Sequence, residues 1–300
     1  MQRPNQELEA RLSILIKNRL SPLATAQSSF IVGSKPSSGA RSPRLWNAAY
    51  ASLMIDAHMQ PLDVINSRFT QTLRTLEIFP QVNAIAIAAP YKSLAHSFLK
   101  RRVSRAAAMS GAVNLITRSG DGELLGHNTD GLGALNAIKS YGIELTGKRV
   151  VILGSGGTGR AVMATLVKLV DGIRILAVVR KSTNVEWLRS NDLQYADYTD
   201  LDVHLKTADL VVNCTTVGWD SQKEMSPLTV SQLSSLSRHA IVFDVIYEPA
   251  CTVLLRRAAS LGLRVLSGQE MNLHQAVEGF SLANQSASRF EIETAMRASI

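Results

Sequence analysis

The chain has 300 residues, 46% hydrophobic and 19% charged, an ordinary globular balance with room for one large or two medium domains. Its two cysteines, Cys214 and Cys251, lie in no C-x-x-C or histidine-rich setting, which argues against a disulfide framework or a metal site and for a reducing, cytoplasmic setting. The net charge of +8 is spread along the chain without interleaved aromatics, and no apolar run approaches the ~18 residues of a membrane helix, so neither nucleic acid nor membrane is an expected partner.

In chain order, residues 5–20 predict an amphipathic helix with Leu8, Leu12, Leu15 and Ile16 on one face. "SPLATAQSS" reads as a linker, "SFIVG" as a strand and "GSKPSSGARSP" as a loop. Pro43 begins a helix, "SPRLWNAAYASLM", with Ser42 as its N-cap. A helix over about 61–78 leads to the strand "VNAIAIAAP", and a further helix covers about 93–108. Within it, "LKRRVSR" is the densest basic cluster and reads as a solvated helix face. "AVNLITR" and "ELLGHN" flank a Gly-Asp-Gly turn and predict a hairpin. A helix begins at about 130, and βαβ alternation follows: "KRVVILG", "IRILAVVR", "ADLVVNCT", "AIVFDVIY" and "RVLSG" as strands, with "GRAVMATLVKLV" and "CTVLLRRAASLGL" as helices. This pattern predicts a parallel sheet covered on both faces.

"VVILGSGGTGRAVMATL" holds G-x-G-x-x-G in Gly154, Gly156 and Gly159, between a strand and a helix. Gly154 permits the tight turn, Gly156 lets a pyrophosphate approach the backbone, and the helix N-terminus offers N–H donors. An NAD site usually ends its second strand in an acid that holds the ribose 2′-OH. Here "VVRKST" presents Arg180 and Lys181 with the hydroxyls of Ser182 and Thr183, which favours the 2′-phosphate of NADP. Lys92 follows Pro90 at the end of an apolar strand, and Asp130 lies in "GHNTDG" just before the nucleotide-binding half. A lysine of this kind suits proton transfer to or from an alcohol as hydride moves, and a carboxylate favours its charged form.

From about Phe30 to Phe280 the chain resembles the shikimate/quinate dehydrogenase family. "SPRLWNAAY" resembles the helix start S-P-x-x-H-N-x-x-F, "APYK" the P-x-K, "GAVNLI" the A-V-N-T and "GHNTDG" the N-T-D. "VVRKST" resembles the N-R-[ST] phosphate clamp and "VVNCTTVG" the N-A-T-P-x-G strand end. "DVIYEPACTVLL" and "GQEMNLHQA" match D-x-x-Y-x-P-x-x-T-x-L-L and G-x-x-M-L-x-x-Q-A. The resemblance implies Lys92 and Asp130 as a catalytic pair and Ser42, Asn114, Tyr247 and Gln275 as substrate contacts. It further implies a cofactor set of Gly154, Ser155, Gly156, Gly157, Thr158, Arg180, Lys181, Thr215, Val245, Gly268 and Met271. The implied architecture is α/β in two domains: a discontinuous substrate domain, 1–129 plus 268–300, and a Rossmann-type NADP domain, 130–267.

Three departures bear on specificity. Ala40 replaces the first serine of S-x-S-P, and Ala86 and Ala88 replace the Asn and Thr of N-V-T-x-P-x-K. Trp46 also stands in place of the motif's His, either stacked on a substrate ring or packing the loop. Each polar partner lost at a site built for it costs about 1–3 kcal/mol. The expected activity is therefore NADP-dependent hydride transfer between 3-dehydroshikimate and shikimate, or a related cyclic alcohol. The rivals are a quinate- or aminoshikimate-type dehydrogenase and a non-catalytic NADP- or metabolite-binding regulator. Residues 1–28 match no part of the family pattern, which leaves them a disordered arm or a segment packed across a dimer; a monomer and a homodimer both remain open.

Overall fold

The computed structural model describes residues 2–181, 183 and 185–300. Ser182, read above as a hydroxyl near the 2′-phosphate, lies outside them. The chain forms two compact units, one of residues 1–129 with 273–300 and one of residues 130–272.

In the first unit, helix α1 (Gln2–Leu15) leads through an extended segment to strand β1 (Gln27–Gly33). There follow α2 (Ser42–Ser52), β2 (Ala57–Asp63), α3 (Phe69–Glu77), β3 (Val82–Ile87), α4 (Lys92–Leu99), α5 (Arg105–Ser110), β4 (Leu115–Arg118) and β5 (Leu124–His127). The sheet order is β2-β1-β3-β4-β5, with β1 parallel to β2 and β3, and β4 antiparallel to both of its neighbours. Apolar residues cover both faces. One layer joins Leu8, Leu12 and Ile16 to Phe69, Leu73 and Tyr91, and the other joins Leu45, Trp46 and Tyr50 to Leu273, Phe280 and Ile292.

Five local expectations are corrected here. Residues 57–63 are a strand, and the helix expected over 61–78 is confined to Phe69–Glu77. Pro61 has no N–H and would break a helix interior, but β2 is an edge strand and pairs only with β1, so a donor can be missing there. The helix expected over 93–108 is two helices, broken at Lys100 with φ +56°. The basic run is thus a turn rather than a helix face, and Arg102 is paired with Glu77 at 2.6 Å. Ser42 is the first residue of α2 and not its cap; that position falls to Arg41, with proline in the first turn. The N-terminal segment is not a disordered arm: Leu8 and Leu12 are fully buried in this unit, and the Asn5 amide donates to the Leu23 carbonyl at 2.8 Å.

The second unit opens with α6 (Asp130–Ser140) and alternates β6 (Arg149–Leu153), α7 (Gly157–Leu169), β7 (Arg174–Val179), α8 (Glu186–Ser190), β8 (Gln194–Asp197), α9 (Leu201–Leu205), β9 (Leu210–Asn213), α10 (Val230–Ser234), β10 (Ile241–Asp244), α11 (Val253–Ser260) and β11 (Arg264–Ser267). All its strands pair in parallel, in the order β11-β10-β9-β6-β7-β8. That is a Rossmann sheet, and its order reverses between β6 and β9, where such folds bind their ligand. Helix α12 (Gly268–Ala283) starts in this unit and returns the chain to the first at Leu273, where α13 (Arg289–Arg297) follows.

Candidate active site

The second unit gathers the candidate cofactor residues at the carboxyl ends of its strands. Gly154 leaves β6 with φ +92°, and a Cβ there would approach the Thr215 methyl to 3.0 Å. Gly159 packs α7 onto the same turn, since a Cβ would strike the Gly154 carbonyl. Gly156 is different: it is the N-cap of α7, its φ is −68°, and a Cβ would meet nothing within 4 Å. No intramolecular contact therefore asks for glycine at 156, whereas a pyrophosphate on the N–H groups of the first turn of α7 would. The loop fits a dinucleotide on these grounds. Arg160 braces it, donating from Nε to the Ser155 carbonyl at 3.0 Å and lying 5.5 Å from the Trp187 ring. Arg180 is exposed at the end of β7, and exposed Lys181 is tied to Asp197 of β8 at 3.7 Å.

A buried carboxylate ties together the loops after β9 and β10. Asp244, fully buried at the end of β10, accepts from Asn213 Nδ2 at 3.0 Å, Thr252 Oγ1 at 2.7 Å and the Ile246 amide at 3.1 Å. Burial outweighs these three donors and pushes its carboxyl up to about 6. Asn213 Oδ1 in turn accepts from the Thr215 amide and hydroxyl. The loops after β9 and β10, which carry Thr215, Val245 and Tyr247, are thereby fixed to each other. Gly268 abuts the Val245 carbonyl too closely to admit a side chain, and Met271 is buried in the same core as Val245. Asp130 opens α6, 5% exposed, and its Oδ2 accepts from Thr158 Oγ1 at 3.1 Å.

The first unit carries the candidate residues Lys92, Ser42, Asn114 and Gln275. Tyr91 stacks on Phe69 at 4.5 Å and donates to the Val64 carbonyl at 2.6 Å, which anchors the turn before Lys92. The Lys92 carbonyl accepts from the Val113 amide at 2.9 Å, and the Asn114 carbonyl from the Ile87 amide at 2.8 Å, so Lys92 and Asn114 are held on adjacent backbone. Asn114 is buried; its Nδ2 donates to Thr129 Oγ1 at 2.9 Å and to Gln275 Oε1 at 3.4 Å, and its Oδ1 accepts from the Thr129 amide at 2.9 Å. Ser42 is buried at the start of α2. Ala84 and Ala86 pack toward the layer of α2, and Ala88 continues that alternation beyond β3, half-buried. Trp46 is 2% exposed and lies 5.1 Å from the Phe280 ring, so it packs the core and does not face a ligand.

Among these, Tyr91, Thr129, Asn213, Asp244 and Thr252 were given no role from sequence, although each stands in a quoted motif.

Residues 31–116 match the shikimate dehydrogenase substrate binding domain. The shikimate dehydrogenase (NADP(+)) of Pyrococcus abyssi is 31% identical over 249 residues, covering 83% of this chain and 89% of that protein. That of Jannaschia sp. is 32% identical over 251 residues, 82% of this chain and 87% of that protein. The chain belongs to the shikimate dehydrogenase family. Among solved structures, shikimate 5-dehydrogenase from Thermus thermophilus, in complex with NADP(H) and shikimate, superposes with a TM-score of 0.78 at 26% identity, over 91% of this chain and 100% of that one. The 5-ketofructose reductase of a Gluconobacter species shares the fold, with a TM-score of 0.74 at 23% identity over 92% of this chain and 100% of that one. Within the described residues no helix is long and apolar enough to cross a membrane.

Proposed function

We propose that this chain is an NADP-dependent oxidoreductase that interconverts 3-dehydroshikimate and shikimate or a related cyclic alcohol. The observation that carries the reading is the clamping of Lys92 beside Asn114 in a family member whose phosphate loop leaves Gly156 open. The N–H groups at the start of α7 would hold the pyrophosphate, and Arg180 and Lys181 would meet the 2′-phosphate. Thr215, Val245, Gly268 and Met271 would hold the nicotinamide end. When bound, NADPH supplies the hydride that reduces the carbonyl carbon.

Lys92 gives its proton to the carbonyl oxygen as that oxygen becomes an alcohol, and takes it back in the oxidative direction. Asp130 is the second member of the catalytic pair that the family resemblance implies. Ser42, Asn114, Tyr247 and Gln275 orient the ring. Gln275 is held beside Asn114, whose Nδ2 donates to its Oε1 at 3.4 Å. Methyl groups at Ala86 and Ala88, where the motif carries Asn and Thr, favour a second reading: a cyclic alcohol with fewer polar substituents than shikimate.

The test follows nicotinamide absorbance with NADP⁺ and shikimate, quinate or aminoshikimate, beside Lys92→Ala. The expected result is turnover on at least one of them, reduced about 10²–10⁴-fold by Lys92→Ala. Tight NADPH binding without turnover on any would overturn the shikimate reading and leave either a less polar cyclic alcohol as substrate or a binding protein.

A further inference from the structure

The hydroxyl of Thr158 has a partner that phosphate binding does not require. It donates to Asp130 Oδ2 at 3.1 Å, within one compact unit. Both side chains are short, so the bond forms only where the starts of α6 and α7 lie side by side. Gly131 sets that approach, because a Cβ there would strike the Ala161 carbonyl and the Thr165 hydroxyl of α7. Ala161 and Thr165 follow Thr158 by about one and two helical turns, so Asp130 and Gly131 run along a single edge of α7.

Thr158 also belongs to the glycine-rich loop, but a pyrophosphate is received there by backbone N–H groups, which any residue supplies. We propose that Thr158 is a positioning residue: its hydroxyl holds the Asp130 carboxylate from the same helical turn whose backbone receives the cofactor. Carboxylate and dinucleotide are then registered against one helix start. The proposal rests on the reading of Asp130 as part of the catalytic pair. A hydrogen bond to a charged group, when lost, corresponds to about tenfold or more in rate.

The experiment compares Thr158→Val, which keeps the branched shape and removes the hydroxyl, with Thr158→Ser, which keeps the hydroxyl. NADPH affinity is read by nicotinamide fluorescence, and kcat and KM with the best substrate of the panel. In Thr158→Val, kcat should fall about tenfold or more while the NADPH Kd stays within about twofold, and Thr158→Ser should recover most of the rate. In an Asp130→Ala background, which removes the acceptor, the valine substitution should have little further effect. Wild-type kcat in Thr158→Val overturns the positioning role, as does a loss confined to NADPH affinity, one that persists in Thr158→Ser, or one that adds in full to Asp130→Ala. A wild-type chain that binds NADPH but turns over nothing refutes the functional reading and, with it, this role. An active wild type with an indifferent Thr158→Val refutes the role alone.

Discussion

A methyl group added at Gly156 meets no heavy atom of the protein within 4 Å, whereas one added at Gly159 strikes the Gly154 carbonyl. The two substitutions should therefore separate binding from folding. Gly156→Ala is expected to leave unfolding free energy within about 0.5 kcal/mol of wild type while weakening NADPH about tenfold or more. Gly159→Ala must move α7 off β6 and is expected to cost about 1–3 kcal/mol before any ligand is added. Thermal unfolding beside an NADPH titration distinguishes them, and equal losses of stability would refute the assignment. The glycine spacing was legible in the sequence because it is set by adjacent backbone. The array of Asn114, Thr129 and Gln275 was legible only in part: Asn114 and Gln275 came from motif resemblance, but their hydrogen bond spans 161 positions. Nothing local marks Thr129 as the residue that bridges them. Asp244 shows the same limit, since its partner Asn213 is 31 positions away.

At the level of elements, hydrophobic spacing identified what would be buried but not against what. The face of α1 is an example: Leu8, Leu12 and Ile16 were evident as a stripe, and their destination beside Phe69 and Leu73 was not. Because Leu12 is fully buried within its own unit, Leu12→Ala should cost about 2–5 kcal/mol of stability and leave the oligomeric state unchanged. Denaturant unfolding and sedimentation read the two quantities; dissociation of an oligomer on mutation would return α1 to an interface role. The strands missed by eye share a physical cause. β2 carries a proline, and β8 alternates weakly, with Gln194 and Tyr195 exposed. Both are edge strands, which bury less and tolerate residues that a central strand excludes. The break between α4 and α5 was hidden because Lys100 adopts a positive φ that its residue type does not advertise.

At the scale of the whole chain, the two units have separate cores and opposite responses to acid. In the second unit, Asp244 takes up a proton near pH 6 when folded, against an ordinary value of 3.8, because burial penalises its charge. The folded state then binds the proton more readily than the unfolded chain, so this unit gains stability as pH falls from about 6 toward 4, by roughly 3 kcal/mol in full. In the first unit, His127 is 9% exposed, its ring hydrogen-bonded to Thr117 at 2.9 Å, and burial lowers its pKa from 6.5. His96 is lowered by the same cause. There the unfolded chain binds the proton first, so the first unit loses stability as pH falls below 6.5. Native-state hydrogen exchange, corrected for the intrinsic rate at each pH, reads the two units separately. Between pH 6.5 and about 5, the free energy of opening should fall for amides of β1 and β3 and rise for those of β9 and β10. Asp244→Asn should flatten the rise, because the amide retains an acceptor toward Asn213 and Ile246 and cannot titrate, while the fall in the first unit persists. Parallel movement of both units by equal amounts would mean that they open as a single cooperative body and that neither group acts on its own core.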